Sequence, residues 1–301
     1  MQINKATFPL VCALRQIGKR VRLRGWERFL RLVFNPDRQQ HVGFKIPFYG
    51  FTYQGYADNF IDWNVLFYGS YESFELRLLS ALALQIDEPV FVDVGANVGH
   101  HALYMSTSVN QLHAFEPNPC LWSLITEKLS ANKVKNTTLH RFGLGVITES
   151  KPLYLGPECG EASLISSVNR NYFVSNAPVD IISGDESFHK LGIHKLDLVK
   201  IDIEGFEKYA IEGMILSLTK SRPIMLVELT EIGREQFGSF SEFIKIFPKN
   251  YKFYFCHWVS SLIIRKVIRP ADELGYAIFV GNVFCVPNER ETLFTKVIDR
   301  S

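Results

Sequence analysis

Apolar residues in the first forty positions recur at helical spacing. Leu10, Leu14, Ile17 and Val21 lie four, three and four apart on one face, and Trp26, Phe29, Leu30 and Val33 continue a similar stripe after Gly25. Aromatic stripes of this kind usually face a core, so a helix packed on its own domain is expected. Between residues 41 and 71, polar and aromatic positions alternate between Gly43, Gly50, Gly55 and Gly69, the pattern of short strands and turns. Residues 1–71 therefore read as an N-terminal helical and β cap. From residue 72 the pattern changes. Glu72 to Leu84 is helical, and Val90-Phe91-Val92 then runs into Asp93-Val94-Gly95-Ala96-Asn97-Val98-Gly99, a strand, a glycine turn and the start of a helix through Ser108. A strand over Gln111 to Phe115, a helix over Leu121 to Asn132 and a strand over Thr137 to Phe142 follow. Residues 143–195 are less regular and rich in Gly, Ser and Asn, as expected of an insertion over one edge of a sheet. Alternation resumes with a strand over Leu196 to Ile203, a helix over Phe206 to Leu218 and a strand over Pro223 to Leu229. A helix over Phe240 to Phe247, a strand over Tyr251 to Cys256 and a strand over Tyr276 to Val286 kinked at Gly281 complete the chain. Helices alternating with short apolar strands make residues 72–301 one α/β domain of parallel β-α units.

The 301 residues are 47% hydrophobic and 21% charged, which excludes a disordered, collagen-like or coiled-coil chain. The net charge of +2 conceals an asymmetry, because residues 1–40 hold nine basic and two acidic side chains, +7 against −5 for the remainder. A strong field over the whole surface is missing, so nucleic acid is not an expected partner. The basic amphipathic start has a second reading beside the packed helix: peripheral contact of residues 1–34 with an anionic membrane or another partner. Five scattered cysteines, Cys12, Cys120, Cys159, Cys256 and Cys285, suit neither a disulfide framework nor a thiolate zinc site, and a reducing cytoplasmic compartment is the simplest reading. Ala6 to Leu14 is apolar and follows Lys5, but it runs into basic residues with no small-residue cleavage pattern, and no apolar run approaches the ~20 residues of a bilayer span.

The glycine turn narrows the chemistry. Gly95 and Gly99 allow a tight turn and a close approach of backbone N–H groups to a ligand at the start of the next helix. A dinucleotide fingerprint needs a central glycine where Asn97 stands, which disfavours an NAD-type oxidoreductase, and no P-loop run is present. Glu116 ends the second strand, where a carboxylate can accept from both hydroxyls of a ribose; its alternative role is to cap the helix starting near Pro119.

Three ordered motifs, Phe91 to Gly99, Ala114-Phe115-Glu116-Pro117-Asn118 and Val199 to Glu207, together resemble the FkbM-type methyltransferases, which use S-adenosylmethionine. Tyr68-Gly69-Ser70-Tyr71-Glu72 and Ala162-Ser163-Leu164-Ile165 extend the similarity to roughly residues 65–286. The resemblance implies a Rossmann-like class I methyltransferase fold of seven strands with the last antiparallel. It implies a cofactor site of Asp93, Gly95, Ala96, Asn97, Gly99, Glu116, Pro117, Asn118 and Gly143, in which Asp93 helps hold the amino group and Glu116 takes the ribose. The third strand end, Phe142-Gly143-Leu144, lacks the polar residue usual for adenine. The resemblance also implies an O-methyltransferase acting on a hydroxyl of a sugar, glycan or secondary metabolite.

On the acceptor side, Asp202 and Glu204 are two apart at the carboxyl end of a strand, where open α/β sheets bind ligands. A hydroxyl is a poor nucleophile until a base or metal eases its proton away, and either carboxylate can serve; otherwise Asp202 binds the cofactor or orders the loop and Glu204 caps the helix after it. Asp202, Glu204 and His101 are the catalytic candidates, and Asp202, Glu204 and Glu228 would be the ligands of a divalent metal if one is used. His100 reads as a packed residue, His257 as a weaker base candidate, and Lys200 as a strand lysine that pairs with a carboxylate. A non-catalytic protein that keeps the fold and binds a membrane or partner is the remaining alternative.

Overall fold

The computed structural model describes residues 8–20, 25–36, 41–157, 160–165, 173–260, 264–272 and 280–300. The chain opens with α1 (Phe8–Gly18) and α2 (Trp26–Val33), a hairpin of β1 (Gly43–Phe48) and β2 (Phe51–Tyr56), then α3 (Phe60–Tyr68) and α4 (Ser73–Ala83). The α/β body begins with β3 (Val90–Val94), α5 (His100–Met105), β4 (Gln111–Phe115), α6 (Pro119–Ala131) and β5 (Thr137–His140). After these come β6 (Gly143–Gly145), β7 (Glu149–Leu155), β8 (Ala162–Ser163), β9 (Ser175–Ser183) and α7 (Gly184–Leu191). The body resumes with β10 (Leu198–Ile201), α8 (Glu207–Gly213), α9 (Ile215–Ser221), β11 (Ile224–Leu229), α10 (Glu231–Phe237), α11 (Phe240–Lys245) and β12 (Tyr251–Ser260). It ends with β13 (Ile264–Pro270), β14 (Gly281–Pro287) and α12 (Glu291–Ile298).

The central sheet has eight strands in the order β13-β12-β14-β11-β10-β3-β4-β5. The last strand, β14, runs antiparallel to both neighbours, as the resemblance implies, while β13 adds an eighth strand antiparallel to β12. The seven-strand expectation fails because β13 interleaves Arg265, Lys266 and Arg269 with apolar residues, a charged edge strand that hides its pattern. Residues 273–279, which include the expected start of the last strand, lie outside the described residues.

Three further readings change. Phe60 to Tyr68 is a helix, N-capped by the Asn59 side chain, which accepts from Asp62 N–H. It carries no amphipathic signal because Trp63, Val65, Leu66 and Phe67 are buried around its whole circumference. The expected helix over Phe206 to Leu218 breaks at Met214, where Gly213 presses on Gly145: a Cβ on Gly213 would stand 1.7 Å from the Gly145 carbonyl oxygen. The irregular insertion is a second, four-stranded sheet in the order β6-β9-β7-β8.

The N-terminal stripe is also displaced. Helix α1 packs on α3 through Val11, Leu14 and Arg15, whose guanidinium donates to the carbonyls of Val65, Leu66 and Pro47, while Leu10 and Ile17 are exposed. Val21 lies outside the described residues. One apolar core joins cap and body, since Leu30, Phe48 and Trp63 belong to the same buried cluster as Phe91, Leu112, Leu198 and Phe284.

Candidate active site

A cavity of about 350 Å³ opens at the carboxyl edge of the central sheet, within the size range of small-molecule sites. The turn after β3 forms part of its lining. Gly95 has φ 85° and a Cβ there would stand 2.0 Å from the Asp202 carbonyl oxygen, so only glycine lets the turn meet the loop after β10. Asn97 also has positive φ, its backbone N–H donates to Glu116 Oε2 at 2.8 Å, and Asn118 N–H donates to Glu116 Oε1 at 2.8 Å. Two backbone donors thus hold both oxygens of one carboxylate at the cavity wall. Burial pushes the Glu116 carboxyl up to about 7 despite these donors. The expected helix-capping role belongs instead to Asn118, whose side chain accepts from Cys120 N–H.

Of the nine residues expected at the cofactor, Gly95, Asn97, Glu116, Pro117, Asn118 and Gly143 line the cavity. Asp93, Ala96 and Gly99 do not. Asp93 is fully buried beneath the turn, in register with Lys200, with no hydrogen-bond partner for either carboxylate oxygen. Burial raises it to about 7. Asp202, in the loop after the neighbouring strand β10, does line the cavity. The third strand end contributes Gly143 and Leu144, which with Pro117, Leu153 and Phe206 make an apolar slot.

The loop after β10, which the Gly95 turn meets, adds Asp202 and Glu204 to the lining, and β11 adds Glu228. Lys200 Nζ donates to Asp202 Oδ2 at 2.8 Å, and the opposite charge keeps Asp202 below the usual carboxylate range although burial works against it. Glu228 shares a hydrogen bond with Asp202, whose charge, together with burial, holds Glu228 well above its ordinary range. The two carboxyls are thus driven in opposite directions, Asp202 toward its charged form and Glu228 toward its protonated form. Glu204 is solvent-accessible at the cavity mouth, and its surroundings and Asp202 push it up to about 7. Its backbone is strained, with φ 51° followed by 104° at Gly205. Glu207 restrains that loop by accepting from the N–H groups of Ile203 and Gly205, the ordering role expected as an alternative for Asp202. The insertion reaches in too: Ser163 Oγ donates to the Glu204 carbonyl, and Asn97 Nδ2 donates to the Gly160 carbonyl.

His101 is not brought to the cavity. It is buried on α5 with Nε2 3.3 Å from Glu72 Oε2, and burial lowers its pKa well below the ordinary histidine value. His100 is packed and neutral, its Nε2 accepting from Tyr71 N–H. His257 sits on β12 away from the cavity lining. Among the described residues no three His, Cys, Asp or Glu side chains are grouped to hold a metal ion. The sequence reading missed the walls supplied by Asn59, Phe60, Ile61 and Tyr71 of the cap and by Glu161 of the insertion. Tyr71 and Ser163 lie in motifs already singled out, but nothing local assigns them to a shared cavity.

A buried ion pair ties the cap to the turn. Lys128 Nζ on α6 donates to the Val98 carbonyl at 2.7 Å and stands 3.6 Å from Asp62 Oδ1 and 3.9 Å from the centre of the Tyr53 ring. Asp62 in turn accepts from Tyr53 Oη and Tyr56 N–H.

Comparison with known proteins gives the same direction. Hexuronic acid methyltransferase AglP of Haloferax volcanii is 32% identical over 51% of this chain and 60% of its own, and methyltransferase 1 of Beauveria bassiana is 26% identical over 42% and 59%. The chain thus spans about three fifths of the length of these curated relatives. The solved methyltransferase FkbM of Methylobacillus flagellatus KT is 15% identical, covers 66% of this chain and 43% of its own, and superposes with a TM-score of 0.42. The sequence model of the methyltransferase FkbM domain matches residues 93–255, more than half of the chain and narrower than the expected 65–286, and so this protein belongs to the FkbM methyltransferase family.

Proposed function

We propose that the protein is an S-adenosylmethionine-dependent O-methyltransferase acting on a hydroxyl of a sugar, glycan or secondary metabolite. The observation that carries this reading is one cavity lined both by a backbone-pinned acidic residue, Glu116, and by three further carboxyls, Asp202, Glu204 and Glu228. The residues suit the cofactor: Glu116 offers acceptors to a ribose diol, and Pro117, Leu144 and Phe206 offer an apolar slot to a base. When bound, S-adenosylmethionine supplies an electrophilic methyl group on a positively charged sulfur.

The chain's own residues orient the acceptor and handle its proton. Glu204, ionised above about pH 7, takes the hydroxyl proton at the cavity mouth and passes it to water. Asp202, kept charged by Lys200, and Glu228 accept from and donate to the acceptor's other hydroxyls, which fixes the attacking oxygen in place. The acidic lining also favours a cationic donor electrostatically. Asp202, Glu204 and Glu228 remain the ligands to examine if a divalent metal assists.

The test is incubation with methyl-labelled cofactor and a panel of neutral sugars, uronic acids, glycans and lipids, with and without chelator. Label in an alkali-stable methyl ether is expected. Label only in an alkali-labile ester would replace a hydroxyl acceptor by a carboxylate; the Haloferax relative is named for a hexuronic acid, which carries both groups. Glu116→Ala is expected to weaken S-adenosylhomocysteine binding in calorimetry, and tight NAD binding without it would move the protein to the oxidoreductases.

A further inference from the structure

The first two helices bury one side and leave the other apolar, exposed and basic. On α1, Val11, Leu14 and Arg15 are committed to the protein, while Leu10 and Ile17 are 52% and 47% exposed. On α2 only Leu30 is buried, and Phe29, Leu32 and Val33 are 44%, 82% and 44% exposed. These five are a third of the large exposed hydrophobic residues among those described, gathered on two short helices. The two groups are neighbours: Gly18 at the end of α1 lies against the Trp26 indole, and the Trp26 ring stacks on Phe29 with centroids 5.2 Å apart. Lys19, Arg20 and Arg28 are exposed beside them, within the segment of nine basic and two acidic residues.

The core does not need this face, because α1 is already anchored by Arg15 on the carbonyls of α3. A monomer in water gains nothing from Leu32 at 82% exposure, whereas an apolar ridge bordered by cations matches the interface of an anionic bilayer on both counts. No helix among the described residues is long and apolar enough to cross a membrane, so the match is to its surface. The geometry points to α1 and α2 as a docking face for anionic membrane: Leu10, Ile17, Phe29, Leu32 and Val33 enter the headgroup boundary while Lys19, Arg20 and Arg28 meet lipid phosphates. The inference does not depend on the methyltransferase chemistry. It does have a geometric corollary, for α3 carries α1 near its carboxyl end and contributes Phe60 and Ile61 to the cavity at its amino end, about 13 Å apart along nine residues of helix.

Co-sedimentation of the full chain with vesicles tests it. Binding to vesicles of phosphatidylglycerol and phosphatidylcholine is expected to exceed binding to pure phosphatidylcholine by at least about tenfold and to fall steeply with salt. Phe29→Asp with Leu32→Asp is expected to reduce it about tenfold, as is the triple change of Lys19, Arg20 and Arg28 to Glu, with the circular dichroism melt unchanged. Equal sedimentation with neutral and anionic vesicles, no sedimentation with either, or binding indifferent to both variants would overturn the proposal. So would a shift from dimer to monomer in Phe29→Asp/Leu32→Asp by light scattering without any vesicle binding, which would assign the face to a second copy of the chain.

Discussion

Two parts of the cavity lining are built in different ways. The proposed donor side rests on backbone: a glycine turn following β3 and two N–H groups that fix Glu116, all within one strand-helix-strand stretch. The proposed acceptor side is made of side chains from separate parts of the chain, with Asn59, Phe60 and Tyr71 from the cap, Glu161 and Ser163 from the insertion, Asp202 and Glu204 from the loop after β10, and Glu228 from β11. Backbone geometry tolerates little variation, whereas a wall of side chains can be rebuilt one residue at a time. The contrast teaches where a substitution is tolerated: in the side-chain wall rather than in the turn.

The largest expected effect falls on the donor side. Gly95→Ala places a Cβ 2.0 Å from the Asp202 carbonyl oxygen at φ 85°, and a loss of about 3 kcal/mol in stability is expected together with S-adenosylhomocysteine binding below detection by calorimetry. A variant that still binds tightly would break the view that backbone alone sets this side. Lys128→Met leaves the buried Asp62 without its cation, though still hydrogen-bonded to Tyr53 and Tyr56, and frees the Val98 carbonyl, so a loss of about 3 kcal/mol, or roughly 10 °C in melting temperature, is expected. Should donor binding also weaken, the cap holds the turn; unchanged binding would make the turn self-sufficient and sharpen the contrast.

On the acceptor side, kcat/KM is expected to rise with pH through about 7, because Glu204 with its raised pKa is the base only when ionised. Glu204→Gln should lower kcat about 100-fold and remove that limb while donor affinity stays constant; a persisting limb assigns the proton to the Asp202 and Glu228 pair instead. Phe60→Ala removes one wall residue that is 44% exposed, and a rise of about threefold in acceptor KM with unchanged kcat is expected from initial rates.

The legibility of the chain follows the same division. The turn, Glu116 and the parallel β-α order could be read because glycines at positive φ and apolar strands are dictated by neighbouring residues. The place of Asp93 is harder to read, since spacing identifies the aspartate but not that it stays buried beneath the turn while Asp202 in the next loop lines the cavity. His101 was proposed from its position at the start of α5, yet the direction of its ring is decided by Glu72, distant in sequence. Helix α3 lacked a polar face to reveal it, and β13 resembled a charged loop because edge strands carry charge. Cavity walls from cap and insertion arise only through long-range packing, which leaves no local periodicity.

The single apolar core shared by cap and body has a consequence for how the molecule comes apart. Leu30, Phe48 and Trp63 cannot be uncovered without exposing the flank of the sheet that carries Phe91, Leu198 and Phe284. Heat or denaturant should therefore meet one cooperative unit, in which the helices that touch the outside and the strands that hold the chemistry are lost in the same transition.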